Sequence, residues 1–269
     1  MIILHKIISM SMVLFATLLL FFPISYAEEI TGLQIMTNRD QREDGDDQTS
    51  EARFTLINKR GQKRIRETIR YWKDYDGKDG FDEKMVIFFK SPPDIKNTGF
   101  LNWSYIDIER DDDKWLYLPA LKKVRRISAG DKEDSFMGTD FTFDDMGDRK
   151  VEEDRHHLIK SDSFDGRECY VVESTPKDKD YMYSKQITWV DKERWVDLKT
   201  EYYDRKSRLL KTLITKWQQV NNIWSPKSLH MENHRTGHQT TIDISDVKFN
   251  IGLKESIFKK ARLKRGIKR

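Results

Sequence analysis

Apolar and polar residues alternate with a period of two along most of this chain. Ala52, Phe54 and Leu56 alternate with Arg53 and Thr55, and Asn58–Gly61 supplies a turn. From Arg64 to Trp72 the pattern resumes, with Ile65, Ile69 and Tyr71 on one face and Arg64, Arg66, Arg70 and Trp72 on the other. Met85–Phe89 is five consecutive apolar residues, which predicts a strand buried on both sides, and Ser91-Pro92-Pro93 stops it. Short strands are predicted at Gly99–Ile108, Lys114–Leu118 and Lys123–Ile127, and the same texture returns from Arg155 to Asn250. Two segments read as helix. Glu28–Arg42 has Ile30, Leu33, Ile35 and Met36 on one face and ends at Asp44-Gly45-Asp46-Asp47; Ser256–Leu263 is a short terminal helix. The pattern therefore predicts a mainly β (α+β) fold of about eleven strands, with no linker or repeat to divide it. Consecutive strands joined by tight turns are antiparallel neighbours, and a single sheet of that size must curl or close. The helices then lie across its open side.

One segment fits neither period. Ser135–Met146 crowds Phe136, Met137, Phe141, Phe143 and Met146 into a stretch punctuated by Gly and Asp. Unbranched Met and aromatic Phe on such a backbone suit an adaptable lid over an apolar hollow. Phe54, Leu56, Ile69, Met85, Ile87, Phe89, Trp103, Trp115 and Tyr117 are the candidates to line the concave wall. The same residues would serve equally as an ordinary filled core, and pattern alone leaves both readings open.

The N-terminus stands apart. His5 and Lys6 precede an apolar run from Ile7 to Ile24, followed by Ser25-Tyr26-Ala27 and an acidic start at Glu28. Small residues at Ser25 and Ala27 form a signal-peptidase site, so residues 1–27 are read as a cleaved export signal rather than a retained anchor. Residues 28–269 are the single mature domain. Cys169 is the only cysteine, so no intramolecular disulfide forms and no lipid-attachment cysteine follows the apolar run. Export without disulfides suggests a bacterial periplasm.

Composition narrows the function classes. Of 269 residues 35% are charged and 12% aromatic, which excludes a multi-span membrane protein and a disordered chain. The net charge of +4 is spread over charges of alternating sign, which is no nucleic-acid footprint. There is no Gly-x-Ser-x-Gly elbow, phosphate-binding glycine loop or His-Glu-x-x-His zinc helix. His230, His234 and His238 recur every four residues, but on a strand each step is ~13 Å, too far to share one metal ion. His156-His157 point to opposite faces. Asp74–Asp79 lacks the length and closing Glu of a calcium loop and reads as a solvated turn. No catalytic, metal or cofactor site is expected. The tail Lys254–Arg269, with eight basic residues and one acid, reads as a solvated end, with attraction to anionic lipid as the alternative.

Two motifs resemble a known family. Trp115-Leu116-Tyr117-Leu118-Pro119-Ala120-Leu121-Lys122-Lys123-Val124-Arg125-Arg126-Ile127, and Ser135-Phe136-Met137-Gly138-Thr139-Asp140-Phe141-Thr142-Phe143-Asp144-Asp145-Met146, are similar to the LolA-like outer-membrane lipoprotein-sorting proteins. Asn38-Arg39-Asp40, and Phe89-Lys90-Ser91-Pro92 before Gly99-Phe100-Leu101, extend the likeness over nearly all of the mature chain. The resemblance implies an unclosed antiparallel barrel with helices over its mouth. It also implies a periplasmic carrier for the acyl chains of lipoproteins or lipids, working without a cofactor. The implied partners are an RND-type inner-membrane exporter or an outer-membrane acceptor, with transient membrane contact. A non-carrier adaptor subunit of such an export complex is the alternative.

Overall fold

The structure is a computed structural model and describes residues 29–267. The expected signal peptide and its cleavage after Ala27 lie outside the described residues. Thirteen strands form one antiparallel sheet: β1 (Asp47–Ile57), β2 (Lys63–Asp74), β3 (Phe81–Ser91), β4 (Gly99–Tyr105), β5 (Asp113–Leu118), β6 (Lys123–Ile127), β7 (Asp154–Phe164), β8 (Arg167–Pro176), β9 (Tyr183–Asp191), β10 (Asp197–Asp204), β11 (Leu209–Val220), β12 (Ile223–Asn233) and β13 (His238–Phe249). The expected count of about eleven falls short. Turns as small as Asn221-Asn222, both left-handed (φ 51° and 65°), separate strands that periodicity alone barely resolves.

The sheet order is β6-β5-β4-β3-β2-β1-β13-β12-β11-β10-β9-β8-β7, and it does not close. Its free edges, β6 and β7, are consecutive in the chain, so the connection 128–153 must bridge the open side. Register shifts at Thr49/Glu51, Glu67/Thr68, Phe81/Lys84 and Lys216/Trp217 bend the strands and curl the sheet.

Helix α1 (Gly32–Asp40) is shorter than the expected Glu28–Arg42. Thr31 and Gln34 form a capping box: Thr31 Oγ1 accepts from the Gln34 N–H at 3.2 Å, and Gln34 Oε1 accepts from the Thr31 N–H at 2.7 Å. Ile35 and Met36 pack with Val172 and Val190 on the inner face of β8 and β9. Gly32 is required there, since a Cβ would lie 2.8 Å from the backbone of His156 and His157.

The C-terminal segment departs from expectation. Instead of one helix at Ser256–Leu263 there is a 3₁₀ turn, Glu255–Phe258, and a single helical turn, α2 (Lys260–Leu263). It lies on the outer face of the sheet, not across the mouth. Leu253, Phe258 and Leu263 cover Val86, Phe88, Leu101 and Trp115. The Trp103 Nε1–H donates to the Phe258 carbonyl at 2.8 Å, and Lys73 Nζ donates to that of Leu253 at 3.2 Å. The reason is in β3, whose five-residue apolar run needs cover on both sides. Up to Ile267 the tail is therefore packed rather than a solvated end.

Candidate functional site

The inner face of the curled sheet is a continuous belt fixed by register. Phe54 stands opposite Ile242, Arg70 opposite Ile87, Ile87 opposite Phe100, and Phe100 opposite Leu116. Phe54, Leu56, Met85, Ile87, Phe89, Phe100, Leu116, Met231 and Ile242 make one buried cluster. Phe136, Phe141 and Phe143 from the bridging connection enter the same cluster, and Met137 and Met146 pack against it. Phe136 meets Phe100 and Phe143 edge to face, with ring centroids 5.2 and 5.6 Å apart. The structure thus brings together five of the nine expected wall residues and all five of the lid.

The other four lie elsewhere. Ile69, Trp103, Trp115 and Tyr117 belong to the outer face, in the cluster under the C-terminal segment. Trp115 stands opposite Leu101, and Ile69 opposite Phe88, both outward. One residue of register separates these from Phe100, Leu116, Arg70 and Trp72, which do face inward. On β2 the apolar-inward rule is inverted: Arg66, Thr68, Arg70 and Trp72 point in, and Ile69 and Tyr71 point out.

The segment 135–146 is neither strand nor helix. It holds a 3₁₀ turn at Phe136–Gly138, with Met137 in the left-handed region (φ 51°), and a single bridge between Ser135 and Thr142. Hydrogen bonds pin it to both halves of the sheet. Arg66 Nη1 donates to the Met137 carbonyl, and the Asp140 N–H donates to Thr240 Oγ1 at 3.0 Å. Thr240 Oγ1 and His238 Nδ1 meet Asp140 Oδ2 at 2.7 and 2.6 Å. Tyr181 Oη donates to Asp144 at 2.8 Å, and Tyr183 Oη to Asp145 at 2.9 Å. Lys211 Nζ reaches Asp145 at 3.2 Å. The three histidines of the four-residue repeat have separate partners: His230 meets Thr241 at 3.0 Å, His234 meets Thr212 at 2.8 Å, and His238 meets Asp140.

Beside the segment 135–146 the curled sheet lines an open hollow of about 1490 Å³. Of the expected wall and lid residues, Phe54, Met85, Ile87, Phe141 and Met146 line it. Leu56, Phe89, Phe136, Met137 and Phe143 are packed away from it, beneath and within the segment 135–146. Leu213, Leu229, Ile242 and Ile244 continue the apolar wall on the far side. Much of the remainder is polar or charged, a character that periodicity did not reveal. Arg39 donates to Asp197 at 2.9 Å, Lys150 lies 3.3 Å from Asp82, and Arg149 lies 2.6 Å from Asp154. Glu83 accepts from Trp72 Nε1, and burial pushes its carboxyl up to about 8. Burial likewise raises Asp44 to about 6 and Asp148 to about 6.

A family model described as "-like: Uncharacterized protein" matches residues 81–265. The crystal structure of a DUF1329 family protein from Desulfovibrio piger is 36% identical, with a TM-score of 0.82, covering 86% of this chain and 97% of that one. The chain belongs to the DUF1329 family. A second structure, described as an outer membrane lipoprotein-sorting protein domain from Vibrio parahaemolyticus, is 37% identical with a TM-score of 0.81. It covers 87% of this chain and 98% of that one. A LolA superfamily protein from Nitrosomonas europaea, 20% identical, shares the fold with a TM-score of 0.68 over 87% of this chain and 99% of that one. The comparison with curated proteins returns no match. The DUF1329 chain is thus LolA-like in fold, as its two central motifs implied.

Proposed function

We propose that the protein is a periplasmic carrier that holds the acyl portion of a lipid or lipoprotein inside the curled sheet on its way to the outer membrane. The observation that carries this reading is the hollow of about 1490 Å³, whose apolar wall runs under a segment of irregular backbone that bridges the open side. That volume exceeds the roughly 300–1,000 Å³ of a drug-sized pocket. An acyl chain gains about 0.8 kcal/mol per CH₂ taken out of water, so affinity needs no chemistry, enzyme or cofactor. Phe54, Met85, Ile87 and Phe141 are the proposed chain contacts, and residues 135–146 the proposed lid. The likeness to the Vibrio lipoprotein-sorting domain supports the same cargo class.

Delivery requires a refuge of equal apolarity at the destination, in a membrane or in a partner such as an inner-membrane exporter or an outer-membrane acceptor. One rim suits brief contact with an anionic surface. It carries Lys59 and Arg60 at the β1–β2 turn, Lys122 at the β5–β6 turn, and Arg205 and Lys206 at the β10–β11 turn, with Leu121 exposed among them.

The test is titration with a fluorescent fatty acid. Saturable binding of one molecule per chain is expected, displaced by unlabelled long-chain lipid. No saturable uptake at any accessible concentration would reject the carrier.

A further inference from the structure

The cations of the hollow are not alike. Arg39, Lys114, Arg149 and Lys150 each sit on a carboxylate, at 2.9, 3.0, 2.6 and 3.3 Å respectively. Arg42 and Arg70, half-buried in the same hollow, have no carboxylate within 4.0 Å among the described residues; Arg110 and Lys177, also without one, are exposed. The Arg42 guanidinium lies 5.0 Å from the Trp217 ring, and its buried Nε has no acceptor. Arg70 donates only to neutral atoms, Gln48 Oε1 at 2.6 Å and Met85 Sδ at 3.1 Å, and lies 6.0 Å from the Trp72 ring.

We infer that the half-buried, unpaired guanidiniums of this hollow, Arg70 and Arg42, are donors for the acid headgroup, carboxylate or phosphate, of the amphiphile whose chain lies along the apolar wall. The inference rests on the carrier reading above and names the cargo class more closely. Guanidinium is suited to both acids because its donors form a fixed planar fork. Placement agrees: Arg70 stands opposite Ile87, so a headgroup there is adjacent to the first apolar contacts of its chain.

The neighbouring charges also agree. Arg70 faces Glu83 and Asp44; Arg42 faces Arg39, Asp40, Asp44 and Asp197. Asp197 is engaged by Arg39 through Oδ2. With Glu83 near 8 its carboxyl is mostly protonated at neutral pH, and Asp44, beyond 4.0 Å, is the counter-charge that remains to Arg70. Burial, only partly offset by these carboxylates, lowers both guanidiniums below the usual arginine range.

The experiment is calorimetric titration of the mature protein with twelve-carbon amphiphiles that differ only at the head. The set is dodecanoate, monododecyl phosphate, dodecanol and dodecyltrimethylammonium, with inorganic phosphate alone as the chainless control. The two acids should bind at least tenfold more tightly than dodecanol. In the Arg42→Gln/Arg70→Gln double variant the acids should fall to the dodecanol level while dodecanol itself is unchanged; Arg42→Lys/Arg70→Lys should keep part of the gap. Because the wild-type comparison alone is decisive, poor folding of a variant does not rescue the idea. Equal binding of acids and alcohol would overturn the headgroup subsite and leave the carrier intact. Tightest binding of the ammonium would assign the headgroup to Asp44 and Asp148 instead. Inorganic phosphate binding as tightly as the dodecyl phosphate would make it a free-anion site and overturn the proposal. Failure of every amphiphile would reject the carrier reading itself.

Discussion

Asp140 and Thr240 hold each other reciprocally: the Asp140 N–H donates to Thr240 Oγ1 at 3.0 Å, and that hydroxyl donates to Asp140 Oδ2 at 2.7 Å. Both residues are buried, and they join the segment 135–146 to β13. Thr240→Val keeps the shape and removes both bonds, leaving a buried N–H without its acceptor, a loss of about 1–3 kcal/mol. We expect amide exchange across residues 136–143 to accelerate by at least tenfold while the amides of β1–β3 stay protected. Uniform acceleration over the whole sheet would show that the segment is an inseparable part of the core rather than a lid.

The two aromatic positions Phe141 and Trp115 should separate by function. Phe141 lines the hollow, whereas Trp115 is under the C-terminal segment with Lys260 Nζ 4.6 Å above its ring. Phe141→Asn should weaken fatty-acid binding at least tenfold. Trp115→Ala should lower stability by about 3–5 kcal/mol and leave binding within twofold, measured below its melting temperature. The reverse ranking would mean that the outer face is the binding face.

Much of this fold was legible in the sequence, and one face of it was not. The β period, the apolar run of β3 and the irregular 135–146 segment were visible because each is a local property of consecutive residues. Which side of β2, β4 and β5 faces inward was not. Trp103, Trp115 and Tyr117 look as apolar as Phe100 and Leu116, and only the distant tail, residues 251–267, decides that the former are buried outside. Arg66 and Arg70 misled in the opposite sense. Charged residues are ordinarily outward; here Arg66 turns inward to the Met137 carbonyl and Arg70 into a hollow that is partly polar. No pattern within β2 carries that information.

The tail itself is a stability element. Leu263 is fully buried, and the ideal Cβ position at Gly99 lies 2.9 Å from its Cδ2. Leu263→Ala should cost about 2–5 kcal/mol in chemical denaturation. A change below 0.5 kcal/mol would indicate that the tail detaches without consequence.

Stability should fall as pH rises through neutrality. Burial holds the Glu83 carboxyl at about 8, above the ordinary 4.5, so the folded chain keeps a proton that the unfolded chain has released. Where the native state binds more protons, stability declines with rising pH, here between about 4.5 and 8. Asp44 and Asp148, each near 6, act in the same direction at lower pH. Thermal melting at pH 5.5 and 8.5 should show a lower Tm at the higher pH. Glu83→Gln, which keeps an acceptor for the Trp72 Nε1–H, should flatten the difference. An unchanged slope in the variant would place the titrating group elsewhere.

The central claim is that the curled sheet carries an acyl chain. Native mass spectrometry of the mature protein, purified without detergent and followed by lipid extraction, tests it most directly. The account predicts an added mass of one lipid or lipopeptide per chain, with an acid headgroup and at least one long acyl chain in the extract. A protein that is free of lipid and also takes up no fluorescent fatty acid would contradict it.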